Sequence, residues 1–257
     1  MEEYVARPLT HHHRLTPSPV RLALNYKGID YETQWIEYPD LEPKFSKTHD
    51  PPSPFPPSPN KKRNPPNKTP HSNLAPNPSK PLYTIPAIAL PNGTLVQDSN
   101  LIAPALETLH PAPSLRFNDP LTAKVQSAVT KVHKALVPLV MPLIATQLLN
   151  PRSAEYFSRT RAVRFGKPLT ELAADEEADP RAWRDAEEGI AELKRLLALN
   201  EGVFFLGGEV AYVDFVFVAA LKFWQRVDLG LFREVVGRDE AFGRLWEACR
   251  EWVGRDD

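Results

Sequence analysis

Between Tyr83 and Asn100 the chain carries the feature that most limits how it can fold. Tyr83-Thr84-Ile85-Pro86-Ala87-Ile88-Ala89-Leu90 reads as a strand, Pro91-Asn92-Gly93-Thr94 follows, and Leu95-Val96-Gln97-Asp98-Ser99-Asn100 runs on into a helical pattern. Pro86 has no N–H for a sheet ladder and tolerates a cis peptide bond. It therefore suits a strand mouth beside a ligand rather than a strand interior. Asn92-Gly93 favours a tight hairpin with positive φ, which pairs the two strands antiparallel. Ser99 sits where the helix begins. Its hydroxyl either caps that helix or joins the unpaired N–H groups of the first turn in holding an anion.

Upstream, residues 4 to 9 are the candidate for a first strand. Ser18 as N-cap, Pro19 at the first helical position, Leu22, Ala23 and Tyr26 on one face, and Gly28 as a stop predict a helix over 19–27. Asp30 to Tyr38 alternates and is rich in aromatic and β-branched residues, as a second strand would be. The pattern then breaks: 12 of the 31 residues from Pro51 to Pro81 are proline, with Lys61-Lys62-Arg63 inside. Such a stretch cannot bury enough apolar surface to offset its ordering entropy, so residues 44–80 are expected to be a disordered insertion. A ligand for an SH3-type domain, a nuclear localisation patch and an unspliced intron are the other readings of this segment.

After the hairpin the chain reads as helix throughout. The expected helices are 99–109, 121–149 with kinks or a split at Pro138 and Pro142, 151–165, 180–199, 213–227 and 240–253. An α/β first half followed by an all-α second half results, divided as 1–109 and 118–257, with Pro111-Ala112-Pro113 in the linker. The 31 basic residues nearly balance the 32 acidic ones. Nothing global therefore argues for nucleic acid or a membrane surface, and a small-molecule partner is the default. No signal peptide pattern and no membrane-spanning run is read, which predicts a cytoplasmic protein. The single cysteine, Cys249, rules out a Cys-x-x-Cys motif and lies at helical spacing with apolar neighbours, as a core residue would. His11-His12-His13 shares no face on helix or strand and is read as a solvated loop, so no metal is expected.

Ile85-Pro86-Ala87-Ile88, the hairpin, Gln97-Asp98-Ser99 and the helix after them resemble the glutathione-binding half of the thioredoxin-like domain of glutathione transferases. Arg21-Leu22-Ala23-Leu24-Asn25-Tyr26-Lys27-Gly28-Ile29, running on to Glu37-Tyr38-Pro39-Asp40-Leu41-Glu42-Pro43, is similar to the first helix and second strand of the fungal branch related to β-etherases. Tyr156-Phe157-Ser158-Arg159-Thr160-Arg161, Phe165-Gly166-Lys167-Pro168 and Phe204-Phe205-Leu206-Gly207 resemble its helical domain. The resemblance covers most of the chain except 44–80 and the first dozen residues.

It implies a homodimer that uses glutathione as co-substrate and no metal, and that attacks an electrophilic small molecule or cleaves an ether. Since the thiol must act as thiolate, a hydroxyl at a helix N-terminus is needed. Ser18 is the first choice, with Thr16 second, and the alternative for Ser18 is a cap alone. Asp98 and Ser99 resemble the pair that binds the γ-glutamyl end, while Pro86 presents the Ile85 backbone to the cysteinyl part. Tyr156, Phe157, Arg161 and Trp224 are candidates for a second-substrate wall. Ala211-Tyr212-Val213-Asp214 occupies the place of a Ser/Thr-x-x-Asp capping box but has alanine at the cap, a loss worth about 1 kcal/mol. A non-catalytic, glutathione-binding or scaffold protein with a degenerate active loop is the alternative function.

Overall fold

The computed structural model describes residues 2–6, 18–45, 85–91, 94–175 and 177–254, the first of these by backbone alone. Thr16, His11-His12-His13, residues 46–80 and Asn92-Gly93 lie outside the described residues.

Four strands form one sheet in the order β2-β1-β3-β4. Strand β1 (Glu2–Ala6) runs parallel to β2 (Glu32–Ile36), with Ala6 opposite Ile36. It runs antiparallel to β3 (Ala87–Ala89), with Tyr4 opposite Ala87. Strand β4 (Leu95–Gln97) closes the far edge antiparallel to β3, with Ala87 opposite Gln97. The first strand thus lies two residues earlier than its expected start, and β2 is shorter than its pattern suggested. Pro39 ends the extended run: Tyr38–Asp40 forms a 3-10 turn that leads into α2 (Leu41–Phe45). Residues 44 and 45, assigned from sequence to the insertion, therefore belong to a helix.

Alternation along the strands divides the sheet into two faces. Ile88 joins α1 (Pro19–Tyr26) and α3 (Ser99–Leu109) in the main core. Ile36, Ala87 and Leu95 point the other way, where Phe45 packs with them in a small second cluster.

The helical half is built around α4 (Pro120–Leu143), which passes through Pro138 and Pro142 without splitting and then widens into a π-helical turn over Ile144–Leu148. Each proline removes one intrahelical bond, and the chain absorbs both losses within one continuous helix. By length and composition alone, 120–148 is apolar enough to cross a membrane, although no such run was read from the sequence. Its Val125, Ala128, Val132, Leu136 and Val140 are fully buried, and α4 packs against α7 (Ala178–Leu197) and α8 (Tyr212–Val227). Gly189 sets the closeness of α4 and α7: a Cβ there would lie 2.8 Å from Val132 Cγ2 and 2.9 Å from the Ala128 carbonyl oxygen.

Helix α5 (Pro151–Phe165) has its expected bounds and ends at Gly166, with φ 70°. The short helices α6 (Leu169–Ala173) and α9 (Leu229–Gly237) were not anticipated. The last expected helix is two, α10 (Glu240–Ala248) and α11 (Arg250–Gly254), separated at the buried Cys249. At the start of α8 the carboxylate half of the capping box works without its hydroxyl partner. Asp214 accepts from the Ala211 N–H at 2.8 Å and from the Phe205 N–H at 2.8 Å. Burial pushes its pKa up to about 6 against those hydrogen bonds.

Lys27, just past α1, fastens the linker between the two halves. Its side chain is 0 % exposed, pairs with Glu107 of α3 at 2.9 Å, and donates to the Pro113 carbonyl at 2.7 Å and to that of His110. Glu107 also accepts from the Ser114 hydroxyl at 2.6 Å and the Leu115 N–H at 2.9 Å. Its burial opposes ionisation, but these donors together hold the carboxyl below its usual range.

Candidate functional site

The strand registers bring the chemistry-bearing residues to one end of the sheet. The Ala6 end of β1 is also the Ile36 end of β2, the Ala87 end of β3 and the Gln97 end of β4. Across that end, in sheet order, stand Tyr38 after β2, Ser18 at the start of α1, Ile85-Pro86 before β3, and Asp98-Ser99 after β4. Sequence reasoning had named all of these except Tyr38 as a site residue.

At the β4 side, Asp98 rather than Ser99 is the N-cap of α3. Its Oδ1 accepts from the Asn100 N–H at 3.0 Å, and its backbone carbonyl accepts from Leu101 and Ile102, both at 2.9 Å. Asp98 stands at φ 75°, ψ 123°, a conformation that L residues rarely adopt. Ser99 is the first helical residue, half-buried, so its N–H is one of those that a helix start leaves without an intrahelical acceptor. Its carbonyl accepts from the Tyr212 hydroxyl at 3.3 Å. Tyr212 is fully buried, and that burial pushes its phenol well above the ordinary range. This contact ties the first turn of α3 to the head of α8. Tyr212 was visible in sequence only as a neighbour of the altered capping box.

In the middle of the edge, the Ile85–Pro86 peptide bond is cis, as the strand-mouth reading expected. Ser18 caps α1: its Oγ accepts from the Val20 N–H at 3.1 Å, and the residue is 2 % exposed.

The β2 side is walled by α5. Tyr38 stacks on Tyr156 with ring centres 6.4 Å apart and planes 8° from parallel, and meets Phe157 at 5.7 Å. The Arg161 guanidinium lies over the Phe157 ring, 4.4 Å from its centre, as the i, i+4 spacing on α5 allows. Below this wall, Glu37 accepts from the Asn150 amide and the Ser153 hydroxyl, while the Tyr38 N–H donates to Ser153 Oγ at 3.1 Å. Arg152 grips Asp40 through both nitrogens, Nη2 at 2.7 Å from Oδ1. Burial raises the Tyr38 pKa, with Arg161 opposing; burial likewise lowers that of Arg161, with Tyr38 and Tyr156 opposing. Of the four residues considered for a second-substrate wall, Tyr156, Phe157 and Arg161 come together here. Trp224 does not, being wholly enclosed in the helical core. No group of three or more metal-binding side chains occurs among the described residues.

This end of the sheet therefore holds a helix start whose first N–H groups lack intrahelical acceptors, a cis-proline bend before β3, a buried hydroxyl at a second helix start, and an aromatic wall with a cation. Residues 17–109 match the N-terminal domain of the glutathione S-transferases, and residues 121–252 match their C-terminal domain. The glutathione S-transferase-like protein ustS of Aspergillus flavus is 31 % identical over 255 residues, covering 91 % of this chain and 82 % of that protein. Among solved structures, the glutathione S-transferase CsGST63524 of Ceriporiopsis subvermispora in complex with glutathione has a TM-score of 0.79 and 26 % identity, over 98 % of this chain and 96 % of that one. CsGST83044 of the same organism, also in complex with glutathione, gives a TM-score of 0.76 and 27 % identity, over 98 % and 97 % of the two chains.

Proposed function

Because this chain belongs to the glutathione S-transferase family, we propose that it binds glutathione across the open end of its sheet and activates the thiol for attack on an electrophilic small molecule or an ether. The observation that carries this reading is the backbone of Asp98. A non-glycine residue at φ 75° costs on the order of 1–3 kcal/mol, and such strain persists where a site requires it. In that pose the Ser99 N–H and hydroxyl receive the γ-glutamyl carboxylate, and the Asp98 carboxylate faces the amine. The Ile85 backbone pairs with the cysteinyl residue, which brings the thiol toward Ser18.

Ser18 Oγ accepts from Val20, so its own proton is available to donate to a thiolate, and the N-terminus of α1 adds partial positive charge. The sulfur then bonds to the electrophilic carbon, the leaving group departs with the electrons of the broken bond, and the thiol proton passes to solvent. The reading requires no metal. A homodimer and a cytoplasmic location go with it, to be checked by sedimentation equilibrium and by imaging of the tagged protein.

Two measurements test it. Wild-type protein is expected to be retained on immobilised glutathione. Ser18→Ala should lose about a hundredfold in turnover while its glutathione affinity changes little, since the lost donor serves the thiolate alone. Unchanged turnover in that variant would remove Ser18 from the mechanism and make Thr16 the residue to test.

A non-catalytic, glutathione-binding protein is the second reading, favoured by the near-complete burial of Ser18 and by its engagement as a cap. The two readings part on the ultraviolet absorbance of thiolate in the glutathione complex. A depressed thiol pKa supports the transferase, and an unshifted one supports the binding protein.

A further inference from the structure

The wall at the β2 side holds a charge that its surroundings do not answer. Arg161 is half-buried, its guanidinium lies on the Phe157 ring, and its polar contact with the Thr160 hydroxyl is a long one, 3.4 Å from Nη1. Both acidic side chains of this corner are already engaged, Glu37 by Ser153 and Asn150, and Asp40 by Arg152. Among the described residues no carboxylate pairs with Arg161. A guanidinium drawn partly out of water gains most from a planar anion that it can bind through two parallel N–H bonds. The stacked phenols of Tyr38 and Tyr156 border the same corner, giving it aromatic surface as well as charge.

We propose that Arg161, flanked by Tyr38 and Tyr156, recognises a carboxylate on the second substrate, which is accordingly an amphipathic aromatic acid. The aromatic surface around Arg161 favours that molecule over the aliphatic glycyl end of glutathione. Asp98 and Ser99 stand after β4 and Tyr38 after β2, at opposite edges of a four-stranded sheet and hence roughly 14 Å apart at the usual strand spacing. A glutathione gripped at the β4 edge with its thiol at the middle directs its glycyl carboxylate toward the β2 edge as well, so the titration with its glycyl ester decides between the two carboxylates. This inference rests on the transferase reading for its meaning, although its test does not need turnover.

The test compares 3,5-dinitrobenzoate with 3,5-dinitrobenzamide by calorimetry, without glutathione, on wild type, Arg161→Gln and Arg161→Lys. Wild type should bind the acid at least about tenfold more tightly than the amide, as expected of a hydrogen-bonded charge pair. Arg161→Gln should lose that preference while holding the amide as wild type does, and Arg161→Lys should keep part of it, having the charge without the fork. Unchanged amide binding and circular dichroism exclude simple misfolding.

The proposal is overturned if wild type shows no preference, if the preference survives in Arg161→Gln, or if neither probe binds. A parallel titration with glutathione and its glycyl ethyl ester identifies whose carboxylate is served. Should Arg161→Gln weaken glutathione and spare the ester, the group belongs to glutathione and the proposal falls. Failure to bind glutathione with the acid preference intact would instead count against the transferase reading alone.

Discussion

The two ends of the sheet treat polar groups in opposite ways. At the linker end, the buried Lys27 and the half-buried Glu107 are paired with each other, with two backbone carbonyls, a hydroxyl and an N–H. At the other end, Asp98 is held in an unfavourable backbone conformation and Arg161 has no carboxylate among the described residues. One end satisfies this charged pair and fixes how the halves meet. The other leaves groups for a ligand to satisfy. Stability concentrated at one end lets the other keep arrangements that cost free energy in the unliganded protein.

The largest effect should come from breaking the satisfied end. Lys27→Met leaves two carbonyls without their donor and Glu107 without its cation, and should lower unfolding free energy in urea by about 3 kcal/mol. A loss under about 1 kcal/mol would show that the fastening is not what holds the linker.

A comparable effect, read through pH, concerns the support beneath the open end, since α8 carries both Asp214 and the Tyr212 that holds Ser99. Burial raises the folded-state pKa of Asp214 from the ordinary 3.8 to about 6. The folded state therefore binds the proton more tightly than the unfolded one. This contribution is fully present below about pH 4 and is lost as pH rises through about 6, a change of roughly 3 kcal/mol. The difference between wild type and Asp214→Asn, followed by denaturation from pH 4 to 7, should carry that slope. A flat difference would mean that the backbone donors cancel the effect of burial, and a reversed slope that they outweigh it.

The smallest change in stability, and the most direct challenge to the contrast, is Asp98→Gly. Glycine adopts the positive φ freely and costs only a few tenths of a kcal/mol as an N-cap, so the variant should be no less stable than wild type, or more stable by up to about 1 kcal/mol. Its glutathione affinity should fall about tenfold. A marked loss of stability would mean that Asp98 is structural and that the two ends differ less than their geometry suggests.

What could be read from sequence follows from how local its physical causes are. Ser18-Pro19 and Gly28 start and stop α1 by their own backbone preferences, and Pro151 with Gly166 does the same for α5. Asp98-Ser99 announced a helix start in the same way, although which of the two caps it depends on the backbone turn at Asp98. Helix α9 escaped notice because Asp228 both ends α8 and caps its successor, leaving no break in composition. Lys27 looked like an ordinary basic residue at a helix end. Its burial comes from carbonyls more than 80 positions away, a distance at which no spacing rule operates. The wall of Tyr38, Phe157 and Arg161 is non-local in the same sense: its α5 members were named from sequence, whereas their partner from the sheet half was not.

Cys249 offers a practical route to the open end. It is 0 % exposed at the break between α10 and α11, and burial, reinforced by Asp214 and Glu251, raises its thiol far above the usual range. A thiol both hidden and protonated reacts slowly with maleimides, nitroxide reagents and oxidised glutathione. The native protein is therefore nearly silent to sulfhydryl labelling. Cysteines introduced on the solvent side of α5 and of α3 could carry a spectroscopic pair without first removing the natural one, so that the distance between the two helices could be followed as ligands are added.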